Sequence, residues 1–100
     1  MYRGTTPIFT FKLPFSGEEI TVLSVCFAQQ NQIILEKALC DCVVEENTVS
    51  VKLSEEETLL FNHEKGLVEM QLRVGCGEAR MASNIMIISV KRILKDGCLE

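Results

Sequence analysis

The chain has 100 residues, 47% apolar and 24% charged, with a net charge of −4 and a pI near 5.0, which is the size and composition of one globular domain. Its acidity, and the lack of any basic run, argue against nucleic acid and anionic membrane as partners, because both are bound through clustered Lys and Arg. No apolar run is longer than Ile85-Met86-Ile87-Ile88, which is far short of the ~20 residues that cross a bilayer.

Met1 to Pro7 has no hydrophobic signal region behind its single Arg, so a chain made and kept in the cytoplasm, without a secretory leader, is expected. Thr5 to Leu13 then sets Phe9, Phe11 and Leu13 on one side and Thr10 and Lys12 on the other. Such period-two alternation is that of a half-buried strand. Pro7 suits an edge position, since proline donates nothing to a ladder. Pro14-Phe15-Ser16-Gly17 breaks this strand. Ile20 to Gln29 follows, with Leu23, Val25 and Phe27 as its core face. Gln29-Gln30-Asn31-Gln32 is the turn of a hairpin that returns through Ile33 to Leu39. A short strand over Asp41 to Glu46, a turn at Glu45-Glu46-Asn47 and a strand over Thr48 to Leu53 come next.

Ser54-Glu55-Glu56-Glu57 has the capping-box spacing and an acidic first turn, which predicts one helical turn near residues 54–61 packing Thr58-Leu59-Leu60-Phe61 onto the sheets. A triple-Glu run also fits a metal or cationic ligand, but a solvated helix start is the simpler reading. His63-Glu64-Lys65-Gly66 reads as an exposed loop. The clearest strand is Leu67 to Val74, where Val68, Met70, Leu72 and Val74 alternate with Glu69, Gln71 and Arg73. Gly75-Cys76-Gly77-Glu78 is a hairpin turn. Met81 to Leu94 is the last strand, its Ile85–Ile88 run implying burial on both faces, and Asp96-Gly97 ends it before a loose terminus. Six or seven short strands with one inserted helical turn describe a single all-β domain spanning residues 1–100, a small immunoglobulin-like antiparallel β-sandwich, with a barrel as the alternative that the pattern suits less well. The Cys, Trp and Cys hallmark of true immunoglobulin domains is absent.

The five cysteines are odd in number, and reduced thiols are expected in a reducing compartment. Cys40-Asp-Cys42 lacks the two-residue spacing of a redox pair or zinc knuckle. In an extended segment both thiols would share one face, and zinc would need two further ligands, with Cys76 and His63 as the only proposals. A hydrolase needs two opposed carboxylates or a Cys with a base in reach. The acidic residues gather in turns and a helix start, and His63 is the only histidine. No catalytic residue, cofactor or metal is expected.

Five stretches together resemble a family of small proteins encoded by phages and prophages of clostridia-like Gram-positive bacteria. They are Thr6-Pro7-Ile8-Phe9-Thr10-Phe11-Lys12-Leu13-Pro14, Val51-Lys52-Leu53-Ser54-Glu55-Glu56-Glu57-Thr58-Leu59, Glu69-Met70-Gln71-Leu72-Arg73-Val74, Ala82-Ser83-Asn84-Ile85 and Val90-Lys91-Arg92-Ile93-Leu94. The resemblance implies a β-sandwich that serves as a structural or accessory component near the tail or baseplate. It also implies residence in the bacterial cytoplasm during assembly and then association with the virion. It brings no catalytic or ligand residues.

The expected function is therefore a non-enzymatic assembly or protein-interaction module that binds other phage structural proteins or its own copies through a sheet edge. The candidate contacts are Ile8, Thr10 and Lys12 on the first strand and Ile93 and Leu94 near the C-terminus, beside a mobile Tyr2-Arg3. The alternative is a ligand- or carbohydrate-binding sandwich. It is disfavoured because the chain has no Trp and one Tyr, where sugar sites use aromatic platforms.

Overall fold

The computed structural model of the chain describes residues 1–95, 97 and 99. Asp96 and Cys98, on which the expected end of the last strand and the fifth cysteine fall, lie outside the described residues. Among the described residues eight strands form: β1 (Ile8–Lys12), β2 (Val22–Gln29), β3 (Gln32–Ala38), β4 (Cys42–Glu45), β5 (Thr48–Lys52), β6 (Leu67–Cys76), β7 (Ala79–Ala82) and β8 (Met86–Ser89). One short helix, α1 (Glu55–Leu59), lies between β5 and β6. The strands make two antiparallel sheets, β1-β5-β4 and β3-β2-β6-β7, with β8 also on β6. This is the all-β sandwich the alternation predicts.

The core lies between the sheets and is built from the predicted faces. Leu23, Val25 and Phe27 of β2, Val68, Met70, Leu72 and Val74 of β6, Val49 and Val51 of β5, and Phe11 of β1 are all buried. Phe27 is the joint. Its ring packs on Phe9 of the opposite sheet (centroids 5.8 Å apart, tilted 52°) and on Phe61 after α1 (5.9 Å, 58°), distances and tilts typical of favourable aromatic pairs.

Turn chemistry fixes the hairpins. Gln30 and Asn31 both take positive φ (50° and 65°), the conformation of a two-residue turn that matches strand twist, in which Asn is tolerated. Gly77 does the same between β6 and β7, at φ 60°. Gly75 serves another purpose. A Cβ there would stand 2.5 Å from Val22 Cγ1 and 2.9 Å from Arg80 Nη1, so only glycine lets these side chains close over β6.

Several expectations need correction. Gln29, expected both as the end of the second strand and as the start of the turn, is the last residue of β2 and no part of the turn, and its side chain is buried. Its amide pairs with both backbone groups of Asn62, Nε2 donating to the Asn62 carbonyl (2.9 Å) and Oε1 accepting from the Asn62 N–H (2.9 Å). The single last strand over Met81 to Leu94 is two strands. Ser83 Oγ accepts the Leu72 N–H (3.0 Å) in place of a backbone carbonyl, and the pairing with β6 slips by one residue between β7 and β8. Ile85 and Ile87 are consequently exposed (Ile87 at 64%) rather than buried, because β8 sits on a sheet edge with one face in solvent. Tyr2-Arg3 is not a mobile tail. Tyr2 bridges Lys91 in parallel, and Arg3 donates from Nε to the Phe61 carbonyl (2.8 Å) and from Nη2 to the Leu59 carbonyl (3.0 Å).

The capping box forms as expected. Ser54 Oγ accepts the Glu57 N–H (3.1 Å), and Glu57 Oε1 accepts the Ser54 N–H (2.8 Å). Thr58 and Phe61 are buried as predicted, but Leu60 is exposed, since a five-residue helix has only one inward face. Glu57 also ion-pairs with Lys37, which reaches over from β3. Burial by itself would raise the Glu57 carboxyl, but hydrogen bonds from Lys37 and Ser54 and the Lys37 charge outweigh it and hold the pKa below its ordinary value.

Two outcomes are expected. Gln29→Leu leaves the Asn62 N–H and carbonyl without partners and should destabilise the fold by about 2–4 kcal/mol in urea unfolding. Glu57→Gln keeps the capping geometry but removes the ion pair, and should cost about 0.5–1.5 kcal/mol at neutral pH. A carboxyl with a lowered folded-state pKa contributes stability above its unfolded value and loses it as pH falls through the folded one. The gap between Glu57→Gln and wild type should therefore narrow as the pH falls through the ordinary carboxylate range and close once it is below the lowered folded-state pKa.

Candidate functional site

β1 is one of the two edge strands of the three-stranded sheet, with β4 at the other side, as Pro7 and its terminal position imply. Its register with β5 runs from Ile8 opposite Lys52 to Lys12 opposite Thr48. Just beyond its ends, the Leu53 N–H donates to the Pro7 carbonyl (3.0 Å) and the Leu13 N–H to the Asn47 carbonyl (2.6 Å). In an antiparallel pair every second residue exchanges backbone bonds with its neighbour and the residues between direct theirs away. The odd-numbered positions therefore bond to β5, and Ile8, Thr10 and Lys12 direct their N–H and carbonyl groups outward. No strand among the described residues meets them.

The side chains of these three residues lie on the outer, solvent face, with Ile8 62% exposed. Thr10 Oγ1 shares a hydrogen bond with Ser50 Oγ of β5 (3.2 Å). On the inner side of the same edge an open cleft of 590 Å³ runs between β1 and the β7–β8 edge, lined among others by Phe11, Phe15, Leu72, Val74, Met81 and Met86. Open strand backbone and apolar side-chain space thus lie side by side. The period-two pattern pointed to this edge; the cleft was not legible, because it depends on how far the two sheets splay at one side.

The two C-terminal candidates lie away from β1. A Cβ at Gly4 would stand 2.9 Å from Ile93 Cδ1, so half-buried Ile93 packs against the N-terminal segment. Leu94 is 94% exposed. The structure does not gather the five candidates into one patch.

The remaining chemistry-bearing residues are dispersed. Among the described residues no three His, Cys, Asp or Glu side chains are grouped to hold a metal ion. The triple-Glu run is engaged at the helix start, with Glu57 on Lys37 and Glu55 Oε2 accepting the Leu99 N–H (2.9 Å). His63 lies in a short 3-10 turn, His63–Lys65, and is half-buried rather than fully exposed.

Cys26, Cys40, Cys42 and Cys76 are thiols, not disulfides. The Cys40-Asp41-Cys42 segment is not extended: Leu39–Asp41 is a 3-10 turn held by the Asp41 carboxylate accepting the Ala38 N–H (3.0 Å). Cys40 is exposed, while Cys42 is half-buried and its Sγ donates to the Ala38 carbonyl (3.3 Å). Burial, then the neighbouring Asp41 charge, raises the Cys42 thiol above its ordinary pKa. The thiolate is the reactive species, so Cys40 should alkylate about tenfold faster than Cys42 in the native protein. Peptide-resolved mass spectrometry after iodoacetamide pulses reads this, and the difference should vanish in denaturant.

No family model matches the chain and no curated protein matches it. Among the described residues no helix is long and apolar enough to cross a membrane. One solved structure to which the chain is similar is the immunoglobulin-like domain of mouse leukocyte-associated immunoglobulin-like receptor 1, crystallised as a strand-swapped dimer. The likeness is 12% identity over 93% of this chain and 84% of that one, with a TM-score of 0.46. The two-sheet architecture itself rests on this chain's own strand pairing.

Proposed function

We propose that the chain is a non-enzymatic protein-interaction module that docks an extended segment along β1. The observation that carries this reading is the row of outward backbone groups at Ile8, Thr10 and Lys12, set beside an apolar cleft. Strand addition uses those two elements: main-chain hydrogen bonds give affinity, and pockets for alternate side chains give selectivity. Pro7 and Pro14 bracket the edge, so the added strand is short.

The resemblance of the sequence to small phage and prophage proteins makes this a module of particle assembly, acting on a tail- or baseplate-region component. The alternative, a ligand-binding sandwich, draws support from the same cleft. Its lining is apolar, with Phe11 buried and Phe15 half-buried, which suits an aliphatic or aromatic guest better than a sugar.

The test is a selection of random peptides of about ten residues on the folded protein, followed by mapping of the selected binders through amide chemical shifts. Binders that perturb and protect the Ile8, Thr10 and Lys12 amides are expected. Binders that map to other surfaces, or small apolar ligands that fill the cleft without protecting those amides, would favour the alternative.

A further inference from the structure

Taking β1 as the docking edge, and resting on that reading, we infer that the occupant is a second copy of the chain, paired antiparallel through β1 about a two-fold axis at Thr10. Self-pairing of an edge strand is isologous, so one surface must complement itself under a two-fold rotation. Ile8–Lys12 meets that condition in one register. An axis at Thr10 lays the whole of β1 on its mate, with Thr10 opposite the partner's Thr10 and Ile8 opposite the partner's Lys12. The residues brought together at Ile8, Thr10 and Lys12 are those whose backbone groups face outward, so each pair exchanges two backbone bonds.

Neighbouring registers are poorer. An axis at Phe9 or Phe11 leaves one end of β1 beyond its mate. An axis at Ile8 runs the pairing toward Gly4, whose φ of 71° takes it out of the extended conformation. An axis at Lys12 sets two lysines directly opposite, a destabilising like-charge pair, and sets Thr10 against the partner's Pro14, which has no N–H to give.

The favoured register also uses both faces. On the outer face each Lys12 stem lies against the partner's Ile8, apolar methylenes on an exposed apolar side chain. Lys52, paired with Ile8 on its other side, stands two strand spacings, about 10 Å, from that Lys12. On the inner face Phe9, half-buried, falls opposite the partner's Phe11 at the mouth of the cleft, an aromatic cross-strand pair. The outcome is a continuous six-stranded sheet across the two copies, from the three strands that each contributes. The contact is small, so its dissociation constant should lie at about 10 µM to 1 mM.

The experiment is sedimentation equilibrium or light scattering from low concentration to about 1 mM under reducing conditions, on wild type and exposed-edge variants. A dimer that forms with concentration is expected. Thr10→Pro should abolish it while keeping the fold, since the N–H it removes faces outward and the Thr10–Ser50 hydroxyl bond it also gives up is an exposed one. Ile8→Glu, facing the partner's Lys12, should tighten it about three- to tenfold, and adding Lys12→Glu to that variant should reverse the gain through opposed carboxylates. Circular dichroism confirms folding, and if Thr10→Pro unfolds, the two charge variants carry the test alone.

A dimer indifferent to these changes would place the contact on another surface and overturn the inference. A monomer at every concentration whose β1 still binds selected peptides would overturn the second copy as occupant and leave edge docking standing. A monomer whose β1 binds no peptide would overturn both.

Discussion

The sandwich depends on one ring. Phe27 touches Phe9 in the other sheet and Phe61 in the crossover, so both layers and the connection between them close on the same side chain. That connection is the weak part of the design. A helix of five residues cannot stand alone, because too few hydrogen bonds repay its nucleation. It is held from every side instead. Ser54 and Glu57 close its start, and Arg3 covers the carbonyls at its end. Thr58, fully buried, accepts the Thr5 N–H (3.1 Å) and reaches the Thr5 and Glu55 carbonyls. Gln29 then fixes the chain that leaves it.

The same bonds govern the edge. Arg3 and Thr5 are tied to α1 and to the residues just after it, so the backbone is delivered to Pro7 in a defined position and β1 begins from a fixed point. An edge strand held this way would lose little further freedom if a segment were paired with it, which is the advantage that preorganisation gives. The N-terminal segment belongs to the structural frame of this edge.

What could be read from the residues follows from how local each signal is. Val68, Met70, Leu72 and Val74 fix a face by alternation alone, and Ser54 with Glu57 fixes a helix start by three-residue spacing. Both are short-range patterns, and both are found where expected. Gln29 was legible only as a polar residue in a polar run. Its burial follows from Asn62, 33 positions away, and no local pattern carries such a partner. The Ile85–Ile88 run misled for a related reason. Four apolar residues in a row imply burial on both faces in a central strand, whereas here the strand is an edge and alternate residues look outward. The edge at β1 was legible through Pro7 and its position; the cleft behind it was not, because its width belongs to the packing of two sheets. Arg3 was likewise invisible as a cap, since its acceptors lie 56 and 58 residues on.

The slip at Ser83 carries a consequence for the behaviour of the protein at high concentration. Segments of six or seven residues with strong β-propensity and low charge are the usual seeds of fibrillar stacking, and Ile85-Met86-Ile87-Ile88 is the nearest thing to one in this chain. It lies on an open edge, where such a seed is most exposed. The Ser83 hydroxyl, by taking the Leu72 N–H, cuts that edge into two four-residue lengths offset by one position. Neither length offers the flat, uninterrupted template that another chain would need to add onto, and interrupted edges are a means by which β-proteins stay dispersed. A single hydroxyl thus interrupts the edge at its most apolar exposed strand.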